Sequence, residues 1–232
     1  MATPGWYGKL PMLGDFAHRR LPLGFVNACD TWLAQGVAAS RESLGSAWLE
    51  NYLTAPLWCF AWSPRVVDEH WWFGVLMPSV DAVGRYFPLV VAFSTEHAPC
   101  EPHALARWAQ WYDSAGACAL QTLRGQATLD EFESALAAAA ATPAPAAAGT
   151  PLTTAPADSA PPQAFTIDLQ LHPAQGAWPQ DAATVVLRSL TARLQGHSTW
   201  WVQGNSETPP PVTVMRGLPA ADRFVALFQG AL

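Results

Sequence analysis

The stretch from Trp71 to Phe93, WWFGVLMPSVDAVGRYFPLVVAF, reads as strand, polar corner, strand. Its polar residues Ser79, Asp81, Gly84 and Arg85 stand between two apolar runs instead of being spread along them. Runs of this kind, bounded by Gly and Pro, are the mark of strands buried on both faces. The corner between them collects the groups able to make directional bonds and is the first place to expect a surface site.

Working outward, residues 57–62 form a further short aromatic strand. Phe25, Cys29, Trp32, Leu33 and Gly36 recur at helical spacing, and Trp48, Leu49, Tyr52 and Leu53 predict a second, short helix that Pro56 ends. On the other side, Pro102 opens a long helix that carries Leu105, Trp108, Trp111 or Tyr112, and Ala115 and reaches about Leu123. Thr128 and Glu131 make a T-x-x-E capping box ahead of a helix with Phe132 and Leu136 on one face.

Residues 137–163 are almost wholly Ala, Pro, Thr and Ser. Repeated prolines and the lack of large apolar groups predict a flexible linker, with the alanines fraying out of the preceding helix. Beyond it, Phe165, Ile167, Leu169 and Leu171 alternate with Thr166, Asp168 and Gln170, the period of a strand with one buried face. Val186, Leu187, Leu190 and Leu194 predict a helix, residues 198–203 and 212–216 two more strands, and Phe224, Leu227 and Phe228 a last helix opening at Pro219. Interleaved strands and helices predict an α/β fold, a three-layer sandwich with helices on both faces of a mixed sheet. The part after the linker is too short for its own core and is expected to complete the same sheet.

A chain of 232 residues, half of them hydrophobic and only 13% charged, suits one domain with a large core. Most of its 12 tryptophans are expected inside, with one or two left for a partner interface. The net charge of -6 removes the phosphate-driven attraction behind non-specific nucleic-acid binding. Four cysteines, Cys29, Cys59, Cys100 and Cys118, form no CxxC pair and fit structural thiols of a reducing compartment. The N-terminus has no continuous apolar segment and no run is long enough to span a bilayer, so a cytoplasmic protein without membrane insertion is expected.

No GxSxG elbow, phosphate-binding glycine loop or HExxH pair is present. The run His97, Cys100, His103, with Glu96 and Glu101 interleaved, offers zinc-ligand types. Two prolines stiffen it and no distant fourth ligand stands out, so it is read as a polar loop and neither a metal nor a cofactor is expected. Asp68, Glu69 and His70 are read as a solvated turn, because neighbours on an extended chain point to opposite faces. Two clusters mix acid and arginine beside glycine: Asp15, His18, Arg19 and Arg20 near the N-terminus, and Ser79, Asp81 and Arg85 at the corner. A carboxylate–guanidinium clamp between loops is physically reasonable there. Two roles stand side by side, holding the loops together and recognising a partner. The candidate partner-binding residues are Asp15, Arg20, Ser79, Asp81 and Arg85; no catalytic residue is assigned.

Gly5-Trp6-Tyr7-Gly8-Lys9-Leu10-Pro11, Gly14-Asp15-Phe16, Arg20, WLENYLTAP at 48–56, Leu57-Trp58, the run from Gly74 to Asp81 and Gly84-Arg85-Tyr86-Phe87-Pro88-Leu89 together resemble the TagF/ImpM family. Ser198-Thr199-Trp200-Trp201 and Gly217-Leu218-Pro219 resemble the family's end more loosely. The resemblance implies a three-layer α/β sandwich and a cytoplasmic, non-enzymatic accessory of the bacterial type VI secretion system. It further implies post-translational repression through binding of a forkhead-associated scaffold protein, beside the phosphorylation pathway of a kinase and a phosphatase. The rival readings are a structural or assembly accessory of the apparatus, and a hydrolase or phosphatase whose acids and histidines meet only in the fold.

Overall fold

The computed structural model describes residues 3–96, 102–125, 127–141, 165–167, 191, 193–204 and 211–232. The strands are β1 (Gly5–Gly8), β2 (Ala17–Arg19), β3 (Trp58–Trp62), β4 (Trp71–Met77), β5 (Leu89–Thr95), β6 (Phe165–Ile167), β7 (His197–Val202) and β8 (Val212–Arg216). The helices are α1 (Leu23–Leu44), α2 (Trp48–Leu53), α3 (Pro102–Gln121), α4 (Leu129–Ala141) and α5 (Phe224–Phe228), with single 3-10 turns before α2 and α5.

One sheet takes in all of these strands in the order β2-β1-β5-β4-β3-β7-β8-β6, so residues on both sides of the Ala/Pro tract share it. Among the described residues every ladder is antiparallel. The mixed pairing expected from the sequence is thereby corrected: among the described residues, parallel contact is confined to the isolated bridge between His197 and Gly217. Short connections, such as the corner joining β4 to β5, favour antiparallel neighbours, since a parallel pair needs a crossover of a dozen or more residues.

The pleat sorts side chains into two cores. Tyr7, Trp58, Phe60, Trp62, Trp72, Leu76, Val90, Ala92 and Trp200 point to the face covered by α1, α2 and α5. Trp6, Cys59, Phe73, Val75, Met77, Val91 and Phe93 point to the face covered by α3 and α4. Helices therefore lie on both faces, as the apolar continuity of β4 and β5 requires. Among the described residues ten tryptophans are buried. Their indole donors tie distant segments together: Trp32 donates to Pro219 O at 2.8 Å and Trp58 to Leu227 O at 2.8 Å, docking the C-terminal segment on α1 and β3.

The capping box forms as read. Thr128 N–H donates to Glu131 Oε2 at 2.8 Å and Glu131 N–H to Thr128 Oγ1 at 3.2 Å. α4 then continues through Ala141 with Ala139 and Ala140 buried, so residues 137–141 belong to a packed helix and not to the linker. Alanine propagates a helix well and its small methyl lets α4 pack closely against α3. Residues 142–163, the end of the predicted strand at 168–171 and the predicted helix at Val186, Leu187 and Leu190 lie outside the described residues, as do His97 and Cys100. Among the described residues no helix is long and apolar enough to cross a membrane.

Candidate functional site

The corner between β4 and β5 is built on glycine and on one enclosed carboxylate. Gly8, at the end of β1, has φ 134°, and a Cβ there would stand 2.1 Å from Pro88 O, so only glycine lets β1 lie against the end of the corner. Gly84, with φ 82°, turns the chain back, and Asp81 N–H donates to Arg85 O at 3.1 Å to close the turn. Val80 and Tyr86 then form an antiparallel bridge that leads into β5.

Asp81 is 3% exposed and accepts four hydrogen bonds. Its Oδ2 receives Lys9 Nζ at 2.8 Å and Arg85 Nε at 2.7 Å. Its Oδ1 receives the backbone N–H of Arg85 at 2.8 Å and of Val83 at 3.1 Å. Burial opposes its ionisation, but the donors from Lys9, Arg85 and Val83 prevail and hold its carboxyl well below the usual range. Lys9 is itself 4% exposed and lies under the Phe16 ring, 4.7 Å from its centroid.

Ser79 is also buried. Its Oγ donates to Lys9 O at 2.7 Å, while the Tyr52 hydroxyl donates to Ser79 O and accepts from Ser79 N–H, both at 2.9 Å. α2 is thus bonded directly to the corner. The Tyr52 phenol is raised above its ordinary value, chiefly by burial, and stays neutral.

The loop between β1 and β2 is clasped to the same corner. Ala82 N–H donates to Leu13 O at 2.8 Å, Arg85 Nη2 donates to Gly14 O, and Arg85 Nη2 lies 3.6 Å from Asp15 Oδ1. Of the sequence candidates, Asp15, Ser79, Asp81 and Arg85 therefore meet. Ser79 and Asp81 are enclosed, and the surface of the corner is offered by Asp15 and Arg85, whose side chains are 77% and 53% exposed, with Phe16 and Val83 beside them.

Arg20 does not join them. Its Nε donates to Pro4 O at 2.9 Å and its Nη1 pairs with Glu133 on α4, which also accepts the Trp6 indole N–H at 2.6 Å. Arg19 stands 3.7 Å from the same carboxylate. The N-terminal cluster is thus split between the corner and α4. At the turn before β4, Asp68 Oδ1 accepts His70 N–H at 2.8 Å and Trp72 Nε1 at 3.0 Å, so the acid organises the entry to the strand.

Sequence reasoning did not single out Lys9, Tyr52 or Glu133. For Lys9 a signal was present: it is the only lysine of the chain and follows directly on an apolar strand. For Glu133, one of three acids on α4, the pairing depends on a residue 113 positions away. Among the described residues, no group of three His, Cys, Asp or Glu side chains is placed to hold a metal ion. The thiols of Cys29 and Cys118 are pushed up by burial and that of Cys59 to about 12, which keeps them in the unreactive protonated form.

An antiparallel sheet covered on both faces, with one end locked by a lysine–aspartate–arginine cluster, defines a three-layer α/β protein whose outstanding polar feature is a rigid two-loop corner. The chain belongs to the TagF family: residues 5–139 match the TagF N-terminal domain, Type VI secretion system-associated. It is also similar to a solved structure, PA0076 from Pseudomonas aeruginosa PAO1, at 34% sequence identity with a TM-score of 0.68, over 97% of this chain and 93% of that one. No curated protein matches it. Family membership makes this protein an accessory of the type VI secretion system.

Proposed function

We propose that this protein is a cytoplasmic, post-translational repressor of type VI secretion that works by stoichiometric binding of the forkhead-associated scaffold protein of the apparatus. Occupied scaffold is withheld from assembly or firing, and the kinase–phosphatase pair acts beside this control on the same scaffold. The observation that carries the reading is the match to a Type VI secretion system-associated domain across residues 5–139. The chemistry of the corner agrees with binding without turnover. Its carboxylate is saturated with donors and its lysine amine is enclosed, so neither is free to attack or to move a proton.

The test is a quantitative pull-down and calorimetric titration of the purified protein against unphosphorylated scaffold, paired with secretion measured in cells that overproduce the protein. One-to-one binding at micromolar affinity or tighter, with secretion lowered, is expected. Absence of binding at any accessible concentration, with secretion unchanged, sinks the proposal.

A further inference from the structure

We infer that the exposed rim of the corner, made by Phe16, Val83 and the free edge of Arg85, is the face that meets the scaffold, and that Arg85 reads a carboxylate on it. This rests on the scaffold-binding reading above.

Arg85 is held from behind and open in front. Its Nε bonds Asp81, its Nη2 bonds Gly14 O and lies near Asp15, and Nη1 is left without a partner among the described residues on a side chain 53% exposed. A guanidinium fixed at several points loses little conformational freedom on binding, and its planar fork matches a carboxylate. The loops on either side are bonded to each other through Leu13 and Ala82, so the rim is one surface. Each loop leaves one large apolar side chain outside, Phe16 at 45% and Val83 at 68% exposure. Arginine beside an aromatic and an aliphatic anchor is the composition of an interface centre.

Charge selects the ligand. Lys9 and Arg85 are offset by Asp81 and Asp15, so the corner has no surplus positive charge, and an anion on this guanidinium shares it with Asp15, whose Oδ1 is 3.6 Å from Nη2. A phosphate dianion is repelled there more strongly than a single carboxylate, for which the directional fork is sufficient. The partner surface is therefore an acidic side chain set in an apolar surround, on unphosphorylated scaffold.

Calorimetric titration of unphosphorylated scaffold into four full-length proteins tests this: the native chain, Val83→Asp, Arg85→Lys, and Leu120→Ser on the exposed side of α3. Val83→Asp places a carboxylate on the rim without touching the core, and Arg85→Lys keeps the charge but loses the fork. Both are expected to weaken binding about tenfold or more, with Leu120→Ser unchanged. Native affinity in Val83→Asp, whose fold is checked by its unaltered melting temperature, overturns the assignment even if Arg85→Lys is destabilised. So does loss of binding in Leu120→Ser alone. Binding that requires phosphorylated scaffold and is lost in Arg85→Lys overturns the carboxylate and assigns a phosphate. Failure of the native chain to bind at all overturns the scaffold reading, and this inference with it.

Discussion

The corner and the α4 clasp use the same chemistry in different surroundings. In each, an arginine and a carboxylate join segments far apart in sequence. At the corner, the Asp81 side chain is wholly enclosed and accepts from Lys9, Arg85 and two backbone N–H groups. At the clasp, Glu133 and Arg20 retain 15% and 33% of their side-chain exposure, and the carboxylate accepts from Arg20 and Trp6. An enclosed charge cannot fall back on water when its partner is removed, whereas a partly exposed pair is screened in part by solvent and salt. The corner thus serves as a keystone, and the clasp trims how α4 sits on the edge of the sheet.

The sharpest way to break this comparison is Lys9→Ala, which removes the amine from the enclosed carboxylate. A fall in melting temperature of roughly 10 °C is expected by thermal denaturation. The paired variant Lys9→Met/Asp81→Leu, which removes both charges at similar volume, should recover only part of that loss, because the N–H groups of Val83 and Arg85 lose their acceptor with the carboxylate. A fall no larger than that of Arg20→Ala would show the corner to be no keystone.

Acid titration gives the next largest effect. The carboxyls of Asp81 and Glu133 are both lower in the folded than in the unfolded chain, so below the ordinary carboxylate range the unfolded state binds more protons. Their contribution is complete above pH about 4 and is lost as pH falls through their depressed native values. Unfolding followed by circular dichroism should therefore shift to milder denaturant as pH falls below 4, with a shallower dependence in the Lys9→Met/Asp81→Leu variant. An identical acid limb in the variant would remove Asp81 from the account.

Gly84→Ala forces an L side chain into a left-handed turn with nothing nearby to obstruct it, a cost of about 1 kcal/mol in chemical denaturation. Arg20→Ala is the smallest, at about 0.5 kcal/mol, and it should shrink further in high salt. Salt-independent loss of several times that size would place the clasp in the same class as the corner.

Much of the fold was legible because it depends on local pattern. β4 and β5 show as apolar runs, β8 covers the strand predicted at 212–216, and Thr128 with Glu131 announces α4. The end of α4 was misread because alanine-rich sequence suits both a helix and a loose tract, and only packing of Ala139 and Ala140 on the core distinguishes them. The site was half legible. Gathering of Ser79, Asp81 and Arg85 at one corner follows from their separation by a few residues between two strands. The division of Asp15 from Arg20, five residues apart, could not be read, because each is drawn to a partner on a different element.

By itself the sequence determined the strands from β3 onward, most of the helices and their buried sides, since periodicity and caps act over a few residues, whereas the short β1 and β2 were not read from it. Tertiary structure alone decided where charge goes. Lys9 reaches Asp81 across 72 positions and Arg20 reaches Glu133 across 113, and both pairings depend on which strands adjoin and which helix covers the edge. An ion pair forms wherever the fold brings opposite charges within reach, and its strength is set by how much water the surrounding core shuts out.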